Sequence, residues 1–370
     1  MRKVLLYTVG QGYPLFERYG HTLLCVRESG EATAEEMSPS ALETGRCIDY
    51  GVSDAKSGSA LVWGTLRGEP MFVATEVAEK VALDSFRGEG RSIERQELAL
   101  EPAQSEALAD LLLADIEHGF RYAYDPRLAN CASYPRDRID QAVGGQLKAE
   151  ALARPLPVDP QLARYRDQLE AGLSGHTFEL TVAVLIAGTP ADPEPDAWAT
   201  MYQPERLRDG VARYLKSPVE MVAARVDHPL PTSTVLGHGV FVLLALLFGW
   251  RFGKGAPGRW ALGAYAALLG ILALCMDFLA LLSVWSELSH NWVLALLWPT
   301  DVLLPWMKPR ILLHYARFKV AVCALIALGE LLFVVHQPIL AVAAFAGLPM
   351  LSLLLAARRA TQGTAENVAV

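Results

Sequence analysis

Asn130-Cys131 is the point in the chain where residue types most directly spell out chemistry. The loop signal Asp125-Pro126 precedes it, and Arg136–Val143 follows as a helix whose first turn can begin at Cys131. A thiol at a helix start meets unpaired backbone N–H groups and the positive end of the helix dipole, which favour its thiolate and make it a nucleophile. Such a thiol needs a base. His21 opens the strand pattern His21–Arg27, and the 110 residues between it and Cys131 are no obstacle, because the two need only meet in space. The competing use of Cys131 is as a packing thiol. For Asn130 the choice lies between aiming its amide at an oxyanion and capping the helix, the more frequent use of asparagine there.

The elements that must position these residues read as an α+β domain. Lys3–Val9, His21–Arg27 and Arg46–Val52 have strand patterns, the third broken near Gly51, and Arg91–Leu100 reads as a strand feeding Glu101-Pro102. Met71–Leu83 fits a strand or a helix. A helix is predicted over about Ala103–His118, with Leu108, Leu111, Leu112 and Ile116 on one face, and others over Tyr165–Leu173 and Pro204–Leu215. Residues 1–233 carry a net charge of −11 out of −7 for the whole chain, without a Lys/Arg run, which argues against nucleic acid as a partner. Cys25, Cys47, Cys131, Cys275 and Cys323 form no CxxC pair and no zinc-like Cys/His spacing, and Gly10-x-Gly12 lacks the rest of a phosphate loop. No metal or cofactor is therefore expected.

The remainder is hydrophobic enough for a membrane. Five apolar segments follow Pro231: Thr234–Trp250, Ala261–Val284, Trp292–Trp306, Val320–Val335 and Pro338–Ala357. A spanning helix needs about 20 apolar residues, which the second and fifth supply easily and the first and fourth marginally. The third is short and interrupted by Pro299, Asp301 and Pro305. The clusters Arg251/Lys254/Arg259, Lys308/Arg310/Arg317/Lys319 and Arg358/Arg359 can share the cytoplasmic side only if that third segment also crosses. The expectation is an extracytoplasmic domain over 1–232 and a five-helix membrane domain over 233–370, with a cytoplasmic carboxy terminus. Asp277 and Glu330 would lie deep, as interhelical hydrogen-bonding groups or as functional ones. Glu287, His290 and Asn291, with Asp301, would form a polar cluster at the outer boundary. Met1-Arg2-Lys3 and Val4–Val9 lack the apolar length and cleavage site of an export signal. The recorded start is therefore expected to lie downstream of the true one, the alternative being that the first helix draws the domain across.

Three motifs now acquire a shared meaning. Gly20-His21-Thr22, Asp49-Tyr50-Gly51 and the Tyr124–Asp140 run around Asn130-Cys131 resemble the Lnb N-terminal periplasmic domain family. That family is related to lecithin:retinol acyltransferase and to the permuted NlpC-type papain-like fold. Gly188–Pro193 and Gln203–Leu207 resemble its closing segments, so the likeness spans most of residues 4–215. Ala132-Ser133 stands where a Thr or Ser pair is more usual, and the outer loop SELSHNW lacks a His near Glu287.

The resemblance implies Cys131 as nucleophile and His21 as general base, with Asp49, or alternatively Tyr50, orienting the imidazole. Arg136 and Asp137 would tie down the helix. Cys25 and Cys47 flank the proposed strands and would form a disulfide or remain packing thiols. The implied activity is acyl transfer from a membrane phospholipid, through a Cys131 thioester, to an amine, in this family the amino-terminal cysteine of bacterial lipoproteins at the inner membrane. The alternatives are a cysteine hydrolase of lipid esters or cell-wall peptides, and a non-catalytic envelope assembly or transport protein.

Overall fold

The structure is a computed structural model and describes residues 1–13, 17–28, 45–53, 58–69, 71–225 and 234–368. It divides into two compact units: residues 1–163 with 194–229, and residues 164–193 with 230–370.

The amino-terminal unit is built on a seven-stranded antiparallel sheet in the order β6-β4-β3-β2-β1-β5-β7. Its strands are β1 (Arg2–Val9), β2 (His21–Glu28), β3 (Arg46–Ser53), β4 (Met71–Ala78), β5 (Ile93–Glu97), β6 (Arg121–Ala123) and β7 (Glu220–Ala223). Its helices are α1 (Gly58–Leu66), α2 (Glu79–Gly88), α3 (Pro102–Glu117), α4 (Ser133–Ala142), α5 (Gln146–Ala153) and α8 (Pro204–Tyr214). Alternating side chains divide the central strands between two cores. Val4, Leu6, Leu24, Ile48 and Tyr50 pack with Leu108 and Leu112 of α3, Ile139 of α4 and Leu207 of α8. On the other face Leu5, Tyr7, Leu23, Cys25 and Cys47 pack with Ala82 and Leu83 of α2. Both faces being covered explains why β1 is buried from Val4 to Val9 instead of reading as an alternating strand.

The expected α+β class is observed, and Met71–Leu83 contains both readings in turn, a strand and then the start of a helix. Cys25 and Cys47 are direct cross-strand partners of β2 and β3, with Cα atoms 3.9 Å apart, and form a disulfide.

The carboxy-terminal unit is helical: α6 (Tyr165–Gly172), α7 (Thr177–Ile186), α9 (Thr234–Gly253), α10 (Arg259–Leu282), α11 (Trp292–Leu296), α12 (Pro309–Leu331) and α13 (Leu340–Val368). Arg259–Leu282, Pro309–Leu331 and Leu340–Gln362 are long and apolar enough to cross a membrane, which marks the chain as a membrane protein. The third expected segment is not a continuous helix. After α11 the chain turns extended at Leu297 and Trp298 and continues as a 3-10 helix over Pro299–Trp306, as its two prolines dictate. Val302 packs on Gly270 and Pro305 on Gly263, so this broken segment runs antiparallel to α10.

Two expectations need correction. Residues 164–193, assigned to the amino-terminal domain from their place in the chain, belong to the helical unit. The last carbonyls of α7 are held there: Asn291 Nδ2 donates to Leu185 O at 2.6 Å and Ile186 O at 3.0 Å, and Gln337 Nε2 donates to Val184 O at 3.1 Å. Lys319, counted among the loop cations, is instead buried and paired with Asp301 at 2.5 Å. Among the described residues Asp301 is held by Lys319, Tyr315 and Trp298 N–H, not by the Glu287–Asn291 cluster in which it was placed. Glu330 accepts Ile339 N–H at 2.9 Å where α13 begins. Cys323 is buried as a packing thiol, whereas Cys275 is exposed.

Candidate active site

His21 is the first residue of β2, and the glycine before it makes that start possible. Gly20 adopts φ +81°, a conformation side chains rarely take, where the chain turns into the strand. Leu23 is the direct partner of Asp49 across β2 and β3, so His21, two residues before Leu23, lies on the same face as Asp49. A bulge between Asp49 and Val52 then bends β3 beside the imidazole. His21 Nε2 and Asp49 Oδ1 are 3.0 Å apart, and Asp49 Oδ1 also accepts Gly51 N–H at 2.6 Å. Both side chains are largely enclosed, 14% and 18% exposed.

The imidazole's other neighbour is Cys131, whose sulfur is close enough to act on its protonation. Since Nε2 serves Asp49, Nδ1 is the nitrogen left to serve a thiol. Three residues distant in sequence thus form the chain Asp49–His21–Cys131. Burial disfavours the imidazolium, but the Asp49 charge and hydrogen bond and the Cys131 sulfur outweigh it, holding the His21 pKa well above the ordinary 6.5. Burial likewise disfavours ionised Asp49, yet His21 and the Gly51 N–H hold its pKa below the ordinary 3.8.

Cys131 is partly exposed, two residues before the first residue of α4. Asn130 decides which amides there are spoken for. Its Oδ1 accepts the N–H of Ala132 at 2.8 Å and of Ser133 at 2.9 Å, and its Nδ2 donates to Pro126 O at 2.9 Å and Tyr202 O at 3.2 Å. Asn130 is therefore a cap, with both amide hydrogens committed to carbonyls and none aimed at an oxyanion. Among the described residues, nothing accepts a hydrogen bond from Cys131 N–H itself. Arg136 fastens the helix as expected, donating to Asp137 at 2.8 Å and to Trp198 O at 3.2 Å and lying 4.3 Å from the Trp198 ring centre.

Tyr50, the alternative orienting group, points away from the imidazole: its hydroxyl donates to Asp115 at 2.6 Å in the opposite core. Other neighbours carried no assigned role at the sequence level. A Cβ on Gly51 would lie 2.5 Å from His21 Cε1, so the last residue of Asp49-Tyr50-Gly51 must be bare for the imidazole to sit where it does. That glycine, directly after an Asp-Tyr strand pair, was the available signal. Phe86 of α2 packs against the His21 ring at 5.8 Å, and Tyr122 and Tyr124 both lie within electrostatic reach of the Cys131 sulfur.

The Glu287–Asn291 cluster lies in the carboxy-terminal unit and is partly structural. Asn291 is buried and holds α7, as described, while also accepting Val293 N–H at 2.8 Å. Glu287 is buried, and its carbonyl accepts Gly188 N–H at 2.6 Å. His290 is exposed with φ 49° and contacts Ser289 at 3.0 Å. Comparison with family models, curated proteins and solved structures found no match.

Proposed function

We propose that the chain is a membrane-bound thiol acyltransferase that moves an acyl chain from a phospholipid to an amine through a Cys131 thioester. The observation that carries the reading is the single imidazole shared between a carboxylate and a partly exposed thiol. His21 Nδ1 takes the thiol proton, and the sulfur attacks an ester carbonyl carbon of the lipid. The resulting oxyanion is met by Cys131 N–H. The ester C–O bond breaks, His21 returns its proton to the leaving lysolipid oxygen, and the acyl group remains on sulfur. In the second half an amine nitrogen attacks the thioester carbon, the C–S bond breaks, and the amine's surplus proton passes through His21 to the released Cys131 sulfur. Asp49 holds the imidazole in one orientation throughout and stabilises its charged form.

Several features support the setting. The order His21, Asp49, Cys131 along the chain fits the permuted papain-like arrangement that the motif resemblance implies. The Cys25–Cys47 disulfide fits an oxidising compartment, hence a periplasmic or otherwise extracytoplasmic domain. The cationic residues between α9 and α10, at the start of α12 and late in α13 fit a bundle whose basic ends face the cytoplasm of a bacterial inner membrane, with α9 and the broken segment completing five crossings. A lipid donor accounts for such a bundle, which cell-wall peptide cleavage does not require. Among amines, the motif resemblance favours the amino-terminal cysteine of a lipoprotein.

The test is complementation of a strain lacking any other lipoprotein N-acyltransferase, read by mass spectrometry of lipoprotein amino termini. The wild-type chain adds one acyl group, and Cys131→Ser loses at least about a thousandfold in rate. Purified protein incubated with phospholipid gains one hydroxylamine-labile acyl mass on Cys131. Unchanged N-acylation by Cys131→Ser overturns the thiol mechanism, and release of free fatty acid without acylated amine replaces transfer by hydrolysis.

A further inference from the structure

Helices α6, α9, α12 and the start of α13 border a groove of about 640 Å³ that lies wholly within the carboxy-terminal unit. Its lining is divided by chemistry. Glu170, His238 and Glu330 supply polar groups, whereas Val242, Leu243 and Leu246 continue along α9 beside Leu340 and Ala341. The division follows depth in the bundle. His238 is in the second turn of α9, Glu330 in the last turn of α12 and Leu340 at the first position of α13, so the polar groups sit at helix ends. From His238 to Leu246 the stripe advances about 12 Å toward the bundle middle. Leu243 and Leu246 are 66% and 61% exposed, open to whatever fills the groove. A polar rim leading to an apolar slot at a membrane boundary has the form of a lipid.

The charges select among headgroups. Two carboxylates stand at the rim, and Glu330 is fixed there by Ile339 N–H at 2.9 Å. Burial holds the Glu170 carboxyl above its ordinary range, although Arg166 and the groove's own His238 pull the other way, and a further cation in the groove would relieve it. A glycerol headgroup brings net negative charge, and a serine headgroup adds a carboxylate, both opposed by this rim. A choline headgroup is recognised by aromatic faces, and the described lining holds no Phe, Tyr or Trp. A primary ammonium donates hydrogen bonds directly to carboxylates.

We infer that this groove holds an ethanolamine phospholipid, its ammonium between Glu170 and Glu330 and an acyl chain along Val242, Leu243 and Leu246. The acyl-transfer reading enters only in making this lipid the donor. A lipoprotein amine offers the same ammonium chemistry, but it must itself reach the thioester carbon, whereas a donor's headgroup takes no part in bond making. Its natural place is a binding site distinct from the thiol, and all of the groove's residues belong to the unit that lacks Cys131.

The experiment is native mass spectrometry of the detergent-solubilised full chain with equimolar dioleoyl phospholipids bearing ethanolamine, choline and glycerol headgroups. The wild type is expected to retain the ethanolamine lipid about tenfold over the glycerol lipid. Glu170→Gln combined with Glu330→Gln reduces that preference below about twofold, while the side-chain amide carbonyl introduced by the second substitution still accepts Ile339 N–H. Headgroup-independent retention by the wild type, or an undiminished preference in the double variant, overturns the inference. So does displacement of the ethanolamine lipid by equimolar diacylglyceryl-cysteine peptide, which assigns the groove to the acceptor. Cys131→Ser separates the two readings: it keeps the lipid preference while losing transfer. Transfer that survives Cys131→Ser defeats the thiol mechanism and leaves the groove standing.

Discussion

Asp49 in the amino-terminal unit and Asp301 in the carboxy-terminal unit have closely similar partners. Each accepts a backbone N–H, from Gly51 at 2.6 Å and from Trp298 at 2.9 Å, and each pairs with a basic side chain, His21 at 3.0 Å and Lys319 at 2.5 Å. They differ in what remains. Asp301 and Lys319 are each 1% exposed, Tyr315 donates a further hydrogen bond at 2.8 Å, and Lys319 Nζ lies 4.1 Å from the Trp298 ring centre. Glu79 is consumed in the same way, by Tyr7 at 2.5 Å, by Arg27 and by Gly45 N–H at 2.8 Å. At Asp49 the partner has a second nitrogen, and that nitrogen goes to a thiol. A buried ion pair is a fastening when its neighbours exhaust it and a chemical device when one valence reaches a reactive atom.

Exchanging the loss between the two pairs gives the largest expected effects. His21→Ala should lower acyl transfer about a thousandfold, the usual worth of a positioned base, with a smaller fall in thermal stability than the loss of Lys319 brings, because Asp49 is more exposed than Asp301 and keeps the Gly51 N–H. Lys319→Met should do the reverse. It leaves Asp301 buried without its cation, at a cost of about 3–5 kcal/mol read as a large fall in thermal midpoint in detergent. Adding Asp301→Leu to Lys319→Met should recover most of that loss, because an apolar pair of similar volume replaces the buried charges. A stable Lys319→Met protein, or a His21→Ala protein that unfolds as readily, erases the distinction drawn between the two carboxylates.

A smaller effect separates charge from geometry at Asp49. Asp49→Asn keeps a hydrogen-bond partner for His21 but exchanges a charge-assisted bond for a neutral one, which should slow transfer about tenfold near neutral pH. The pH dependence has a definite sign. His21 has a folded pKa above its unfolded 6.5, so its interactions stabilise the domain fully below 6.5 and fade as pH rises through the folded value. Asp49, with a folded pKa below 3.8, contributes above 3.8 and loses that contribution as pH falls through its folded value. The stability gap between wild type and Asp49→Asn is therefore expected to be widest between pH 3.8 and 6.5. The His21 resonance in NMR should titrate at lower pH in the variant, and coincident titration in the two proteins removes Asp49 from the site.

The contrast also explains which features could be read without coordinates. The positions of His21 and Cys131 were accessible because each depends on local surroundings, a strand start after Gly20 and a helix start after Asn130. Asp49 was singled out, with Tyr50 beside it, only through the motif resemblance, and the register of β2 and β3 decides between the two. Asp301 and Lys319 were misplaced because a charge near an apolar stretch looks the same whether it ends a helix or meets an opposite charge 18 residues away. The same limit hid β7, whose Glu-Met-Val-Ala has no clear alternation and is a strand because β5 offers it an edge. Residues 164–193 carry no local sign of the unit they join; the groups that hold the end of α7, Asn291 and Gln337, lie more than a hundred residues from the carbonyls they bind.

The smallest expected effect tests whether Asn130 belongs to the fastening or to the chemistry. The four hydrogen bonds of its side chain all go to backbone, so Asn130→Ala removes a cap worth about 1 kcal/mol and frees the N–H groups of Ala132 and Ser133. Asn130→Asp retains the two accepted bonds and gives up only the two donated to Pro126 and Tyr202, so its stability should fall between wild type and alanine. An oxyanion donor behaves otherwise. Losing one costs about a hundredfold or more in rate, and aspartate, which cannot donate and carries a charge of the wrong sign, would then be worse than alanine. Transfer rates measured at a temperature where all three proteins are fully folded should be ordered wild type, Asn130→Asp, Asn130→Ala, all within about tenfold. The opposite order of the two variants would move Asn130 across the line that divides Asp301 from Asp49 and leave Cys131 N–H with a partner in holding the oxyanion.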